Sequence, residues 1–146
     1  MENIPSVVSL LKKYGISPKK SLGQNFLSSG FYLEKIVQAA AVTKHSRVLE
    51  IGPGLGGLTR YLAASAGWVT AVELDSKLVE ILQIELQDVP NVKVIHGDIL
   101  AVPLDQLELA DGYVVVANIP YYITSAIIRR LLEAPLKPQR VLLTIQ

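Results

Sequence analysis

A glycine-rich segment at residues 50–57 (EIGPGLGG) carries the first chemical signal in the sequence. Gly52, Gly54 and Gly57 satisfy a GxGxxG spacing, and they stand between a strand-like run and a helical run. Glycine at such a turn lets a bound cofactor approach the backbone closely. Glu50 directly precedes the glycines, where its carboxylate would repel a pyrophosphate but suit a cofactor that carries a positive charge. The segment predicts a nucleotide-type cofactor site.

Two further acids follow predicted strands and suit other parts of such a cofactor. Glu73 can accept hydrogen bonds from both hydroxyls of a ribose. Asp98 can accept from an adenine amine while Ile99 packs against the ring, although an Asp after a Gly is equally typical of a turn or a helix cap. Glu50, before the glycines, suits the sulfonium and ammonium groups of a cofactor such as S-adenosylmethionine. The candidate cofactor residues in this part of the chain are Glu50, Gly52, Gly54, Gly56, Glu73, Leu74, Asp98, Ile99 and Asn118.

The tetrapeptide Asn118-Ile-Pro-Tyr121 indicates the reaction that the cofactor would serve. An adenine amine is a poor nucleophile, because its lone pair is delocalised into the ring. The Asn118 side-chain oxygen and the Ile119 carbonyl could accept its two hydrogens and direct that lone pair at a methyl donor. Pro120 restricts Ile119 to extended geometry, and Tyr121 offers a ring face to an unstacked base. We predict that these four residues are catalytic; the alternative is a turn that only ends a strand. Tyr122 is either a second platform or a core aromatic, and we expect it in the core.

The elements that must position these residues follow from the periodicity of the chain. The predicted strands are Arg47–Ile51, Trp68–Glu73, Val92–His96, Tyr113–Ala117 and Arg140–Ile145, and the predicted helices are Leu58–Ala66, Lys77–Leu86 and Ser125–Glu133, after an earlier helix capped by Ser28 or Ser29. Apolar strands that alternate with helices predict an α/β fold, a parallel sheet with helices on both faces. Ligands of such sheets bind beyond the carboxyl ends of the strands. We therefore expect the candidate residues to share one edge.

Composition excludes several classes of protein and of site. Half of the 146 residues are hydrophobic and 18% are charged, which favours a packed core over disorder. The chain has no cysteine, and His45 and His96 alone make a poor metal shell, so we predict no metal site. The longest uncharged run, Gly112–Ile128, is too short and too interrupted to span a membrane, and no signal peptide is recognisable. We expect a cytoplasmic protein.

Charge and the last predicted strand suggest partners. Basic residues are concentrated near both ends of the sequence, where they could meet a polyanion such as RNA, although solvated charge is the commoner meaning of such runs. The last predicted strand runs to the end of the sequence with nothing after it to cover its edge, and uncovered edges promote pairing between chains. We therefore expect a fragment that dimerises or swaps through this strand.

Five motifs, in order and in register, resemble the ribosomal RNA adenine N6-dimethyltransferase family of the small ribosomal subunit. These motifs are KKSLGQNFL at 19–27, VLEIGPGLGGLT at 48–59, AVELD at 71–75, HGDIL at 96–100 and NIPYYITS at 118–125. The resemblance implies a Rossmann-like methyltransferase fold that lacks its last strands and its C-terminal helical domain. It divides the chain into a basic N-terminal segment with a cofactor-closing loop, residues 1–30, and a cofactor-binding domain, residues 31–146.

The same resemblance implies roles for individual residues. Gln24, Asn25 and Leu27 would close over S-adenosylmethionine, and Gly52 would contact its methionine part. Glu73 and Asp98 would bind its ribose and adenine, and Asn118 with the following Ile-Pro-Tyr would meet the reacting amine. The implied reaction is dimethylation of two adjacent adenosines of small-subunit ribosomal RNA in a pre-ribosomal particle, with S-adenosylhomocysteine as product.

Three other functions stay open from the sequence. The family's antibiotic-resistance branch modifies large-subunit RNA and shares the glycine and N-I-P-Y motifs, although its N-terminal loop looks less like LGQNFL. A nicotinamide-dependent oxidoreductase would explain the GxGxxG spacing and Glu73, but it leaves N-I-P-Y and Gly-Asp-Ile without a role. A non-enzymatic RNA-binding or assembly protein is compatible with the basic ends. For a fragment, we expect cofactor binding to survive better than methylation of RNA.

Overall fold

The computed structural model describes residues 5–17 and 30–144. The helices in these ranges are α1 Val7–Tyr14, α2 Gly30–Ala40, α3 Gly57–Ser65, α4 Ser76–Glu85 and α5 Thr124–Glu133. The strands are β1 Arg47–Ile51, β2 Trp68–Glu73, β3 Val92–His96, β4 Tyr113–Ala117 and β5 Pro138–Leu143. Two 3₁₀ turns, Leu104–Leu107 and Tyr121–Ile123, precede β4 and α5.

The five strands form one parallel sheet in the order β3-β2-β1-β4-β5. The chain moves outward from β1 to β3 and then returns to add β4 on the other side of β1. The strand order therefore reverses between β1 and β4, and ligands of open α/β sheets bind at such a point, beyond the carboxyl ends of the strands.

Helices cover both faces of the sheet, as the apolar strands predict. On one face, Leu33 of α2 and Leu62 of α3 pack against alternate strand residues such as Val48. On the other face, Ile127 and Leu131 of α5 pack with the strand residues that point the opposite way. Because both faces are buried, the strands carry apolar residues throughout rather than in alternation.

Helix α1 lies outside this layered pattern, and the sequence did not predict it. Its buried residues Val7 and Leu10 pack against Leu55 of the glycine loop and against α4. Lys13 Nζ and Tyr14 Oη both donate to the Glu85 carboxylate at the end of α4, at 2.9 and 2.8 Å. The helix is thus attached to α4 by a small apolar cluster and one shared acceptor.

The first four strands have the predicted bounds. Asp75 caps α4 by accepting from the Lys77 backbone N–H. Strand β5 begins earlier than predicted, at Pro138 instead of Arg140. Proline is tolerated as the first residue of a strand, and the pairing of β4 with β5 is irregular there. The predicted end of this strand at Ile145, and the predicted caps Ser28 and Ser29, lie outside the described residues.

Candidate active site

A cleft opens at the carboxyl ends of β1, β2 and β4, and it brings most of the predicted site residues together. The predicted residues that line it are Glu50, Gly52, Gly54, Glu73, Leu74, Asp98, Ile99, Asn118, Ile119 and Pro120. Gly56 and Tyr121 are not part of the lining, and Gln24, Asn25 and Leu27 lie outside the described residues. Val7 of α1, which the sequence did not single out, forms part of the wall.

The glycine loop owes its shape to left-handed backbone conformations. Gly52, Gly54 and Gly56 have φ values of 75°, 61° and 84°. A Cβ atom at Gly52 would lie 2.9 Å from the Asn118 carbonyl oxygen, so glycine allows the ends of β1 and β4 to approach. Gly56 instead faces α4, since a Cβ atom there would lie 3.0 Å from a Leu82 methyl group. The loop thus approaches the end of β4 at Gly52 and packs against α4 at Gly56.

Glu50 is a buried carboxyl at the end of β1, with 2% of its surface exposed. Thr59 Oγ1 of α3 donates to its Oε1 at 2.5 Å. Burial raises the pKa of Glu50 to about 8; the Thr59 hydrogen bond opposes the increase and the nearby Glu73 charge adds to it. Glu50 therefore holds a proton at neutral pH, and a positive charge nearby would favour its release.

The raised pKa of Glu50 predicts a fall in stability as pH rises. The unfolded chain loses this proton near pH 4.5, whereas the folded protein keeps it up to about pH 8. Because the native state binds more protons in this window, each pH unit costs up to about 1.4 kcal/mol of unfolding free energy. Glu50→Gln keeps an acceptor for Thr59 and removes the titration. Urea unfolding at a series of pH values should therefore show a shallower decline for this variant.

The exposed Glu80 on α4 provides the matched control for this measurement. Glu80→Gln should reproduce the wild-type dependence of unfolding free energy on pH. Burial also raises the pKa of Glu73, so a residual decline is expected in Glu50→Gln. Equal slopes for Glu50→Gln and the wild type would contradict the assignment.

Glu73 ends β2 and holds the glycine loop. Its Oε1 accepts from the Gly54 backbone N–H at 3.0 Å, and its Oε2 accepts from the Asp75 N–H at 2.9 Å. Only 6% of its surface is exposed, and burial raises its pKa despite these hydrogen bonds. Each carboxylate oxygen keeps a lone pair that can accept from a ligand hydroxyl. Glu73 thus has a structural role in holding the glycine loop, and its acceptor role toward a ribose stays a prediction.

Asp98 follows β3 and makes the turn that the sequence left as an alternative. Its Oδ1 accepts from the Leu100 N–H at 2.9 Å, and its carbonyl accepts from Ala101 and Val102 at 2.8 Å. This turn uses Oδ1, so Oδ2 can accept from a ligand. Ile99 is buried beside it and lines the cleft, which is consistent with the predicted packing on a ring.

Asn118 follows β4, and a residue that sequence reasoning missed contacts its side chain. Thr144 Oγ1 donates to Asn118 Oδ1 at 2.7 Å, and the Thr144 N–H donates to the Ala117 carbonyl at 3.0 Å. The signal was a single hydroxyl residue in the apolar run VLLTI. Because β5 is parallel to β4, with Leu143 opposite Ala117, this run delivers the hydroxyl to Asn118.

Tyr121 and Tyr122 form an exposed pair after Pro120. Their exposed fractions are 84% and 65%, and their rings meet edge to face with centroids 6.1 Å apart. The expectation that Tyr122 is a core aromatic is therefore wrong. The two tyrosines lie on a 3₁₀ turn before α5, and the buried side chains of that helix are Ile127 and Leu131. Tyr121 has the open ring face that a base platform needs.

The electrostatics of the cleft identify the kind of ligand that fits. Its lining includes the carboxyl groups of Glu50, Glu73 and Asp98, and among the described lining residues there is no lysine or arginine. A pyrophosphate would find three acids and no cation there, whereas a ligand with positive charges and a ribose would find matching acceptors. In the part of the chain that the structure describes, no group of three or more potential ligand side chains could hold a metal ion. None of the described helices has the length and apolar character for a membrane crossing.

The family comparison and similar curated proteins agree on one family. Residues 15–146 match the family described as Ribosomal RNA adenine dimethylase. The chain is 47% identical over 142 residues to the Ribosomal RNA small subunit methyltransferase A of Bacillus licheniformis, covering 94% of this chain and 49% of that protein. The chain thus spans about half the length of the curated relatives it matches.

Two solved structures share the fold with substantial sequence identity. The 23S rRNA methyltransferase ErmE superposes with a TM-score of 0.68 at 38% identity, over 77% of this chain and 45% of that one. A dimethyladenosine transferase from Plasmodium falciparum superposes with a TM-score of 0.68 at 29% identity, over 84% and 42%. The predicted Rossmann-like methyltransferase fold is therefore confirmed.

Proposed function

The chain belongs to the ribosomal RNA adenine dimethylase family, and from this membership we propose that it uses S-adenosylmethionine to dimethylate adenine N6 amines of ribosomal RNA. The substrate is two adjacent adenosines of small-subunit RNA in a ribosome precursor. The names of the bacterial relatives, at 43–47% identity, support the small subunit. The structural similarity to ErmE, whose name specifies 23S rRNA, supports large-subunit RNA as the alternative.

The acidic side chains that line the cleft support S-adenosylmethionine as the cofactor. Glu73 offers two acceptor oxygens to the ribose, and Asp98 Oδ2 offers one to the adenine amine. Glu50 gives up its proton when the positive groups of the methionine part lie nearby, which favours a cationic cofactor. Gly52 and Gly54 allow that part to lie close to the backbone. A nicotinamide dinucleotide would instead bring its pyrophosphate to these acids.

Residues Asn118–Tyr121, the catalytic segment, orient the adenine amine for methyl transfer. When bound, S-adenosylmethionine supplies an electrophilic methyl group. Asn118 Oδ1 and the Ile119 carbonyl each accept one amine hydrogen, which favours pyramidal nitrogen and directs its lone pair toward the cofactor side of the cleft. The Thr144 hydroxyl orients the Asn118 amide so that Oδ1 can accept. Tyr121 stacks on the extruded base, and the proton of the methylated amine leaves to solvent. Catalysis thus depends on position and electrostatics.

Calorimetric titration combined with an RNA assay tests this proposal. We expect the chain to bind S-adenosylmethionine and S-adenosylhomocysteine with micromolar affinity and NADH at least about 100-fold more weakly, since the charge mismatch disfavours the dinucleotide. Incorporation of labelled methyl groups should favour small-subunit over large-subunit RNA. Preferential NADH binding would overturn the cofactor assignment, and a preference for large-subunit RNA would favour the alternative. RNA binding with cofactor binding but without methyl transfer would favour an assembly role.

A further inference from the structure

Arg130 of α5 contacts the turn that carries Asp98 and Ile99. Its Nη1 donates to the Ile99 carbonyl, and its Nη2 donates to the Val102 carbonyl at 2.6 Å. Arg130 is half-buried in this contact, whereas its neighbour Arg129 is exposed. The fixed fork of a guanidinium can satisfy two separate carbonyl groups at once.

The contact links two parts of the cleft that are distant in sequence. The turn follows β3 at the edge of the sheet, and α5 begins soon after the catalytic segment that follows β4. Ile127 and Leu131 of α5 share an apolar cluster with Ile99, so the helix and the turn already pack together. Apolar packing is non-directional, so it does not fix the orientation of the turn relative to α5. That orientation depends on the polar contacts of the turn.

We propose that Arg130 is a positioning residue, which acts through the Ile99 and Val102 carbonyls to hold the Asp98 carboxylate where it selects the adenine ring of the cofactor. This role rests on the proposed function, and specifically on adenine recognition by Asp98. Arg130 contacts neither the RNA base nor the cofactor. Its effect is on the nucleobase preference of the cofactor site.

The hydrogen bonds within the turn explain why replacing Arg130 should weaken recognition of the adenine and leave the other cofactor contacts intact. Asp98 still accepts from the Leu100 and Val102 N–H groups when Arg130 is replaced, so the turn keeps its local shape. It loses the donors that fix it relative to α5. The Asp98 carboxylate then moves as a unit with the turn, and its hydrogen bond to the adenine amine weakens. Contacts with the ribose and methionine parts lie on β1 and β2 and stay in place.

Cofactor analogues that differ only in the base test this role. Wild-type protein and Arg130→Met are titrated calorimetrically with S-adenosylhomocysteine and with the analogue in which hypoxanthine replaces adenine. We expect the wild type to prefer the adenine compound by at least about tenfold, since hypoxanthine presents an oxygen to Asp98. In Arg130→Met, affinity for the adenine compound should fall about tenfold while affinity for the analogue changes little. The preference between the two compounds should largely disappear.

Two variants serve as controls. Arg129→Met removes the exposed neighbouring arginine and should keep the wild-type preference. The preference of Arg130→Lys for the adenine compound should lie between those of the wild type and Arg130→Met, because a single ammonium group lacks the fork that spans both carbonyls. If Arg130→Met does not fold, Arg130→Lys is compared with the wild type instead. A parallel loss of affinity for both compounds, with the preference preserved, would overturn the positioning role alone. No binding of S-adenosylhomocysteine to the wild type would overturn the proposed function, and this role with it.

Discussion

Asn118→Ala should reduce methyl transfer to RNA by about a thousandfold while leaving affinity for S-adenosylmethionine within a few-fold of the wild type. In the proposed mechanism, the Asn118 oxygen accepts an amine hydrogen and interacts more strongly as the nitrogen becomes pyramidal. Removing it costs stabilisation at the reacting amine. In the same proposal, the acceptors for the cofactor are on Glu73 and Asp98, and this substitution leaves them in place. Single-turnover methylation with labelled cofactor measures the first effect, and calorimetry measures the second.

Thr144→Val supplies the graded comparison for this prediction. It removes the hydroxyl that donates to Asn118 Oδ1 and retains the shape of the residue and the Asn118 side chain itself. We expect about a tenfold reduction in the methylation rate, again with little change in cofactor affinity. Near-normal turnover of Asn118→Ala would refute the role of the amide, whatever the behaviour of Thr144→Val.

Glu73→Gln should weaken binding of S-adenosylmethionine by about 100-fold or more. The substitution replaces one carboxylate oxygen by an NH2 group, which then faces a backbone N–H of Gly54 or Asp75. Two donors would oppose each other in a buried site, and the acceptor pair for the ribose hydroxyls would be lost. A 100-fold loss corresponds to about 2.7 kcal/mol of binding free energy. The glycine loop should also loosen, which would lower the melting temperature.

Glu80→Gln makes the same chemical change on the exposed face of α4 and should leave both cofactor affinity and melting temperature unchanged. Calorimetric titration and thermal unfolding of the two variants give the comparison. Wild-type affinity in Glu73→Gln would mean that its carboxylate is a structural acid at the end of β2 and no ribose ligand.

The strands and helices were predictable because uniform apolar runs, and the helical periodicity between them, are visible within short stretches of the sequence. Four strands therefore have the predicted bounds, whereas the strand order, and with it the switch point between β1 and β4, is known only from the structure. The cleft was predictable for the same reason, since Glu50, Glu73, Asp98 and Asn118 each stand at a strand end. The cofactor loop residues Gln24, Asn25 and Leu27 stay predictions.

The missed features depend on contacts between distant parts of the chain. Thr144 meets Asn118 across two neighbouring strands, and Arg130 meets the Asp98 turn across the sheet edge. The hydroxyl residue in the apolar run VLLTI was a signal for Thr144, but neither contact leaves a local pattern that specifies its partner. The prediction for Tyr122 was wrong because residue type alone does not show that the residue lies on a 3₁₀ turn, where its side chain is exposed. The burial of Glu50 that raises its pKa likewise depends on α3 covering the end of β1.

Helix α1 forms part of the cleft wall through Val7, although its packing partners on α4 are synthesised some 70 residues later. Helix α1 therefore has to wait for the βα unit formed by β2 and α4 before it can dock. Order of synthesis and order of assembly differ for this wall. A nascent chain that ends before α4 should consequently lack this wall of the cleft, even with its glycine loop already made.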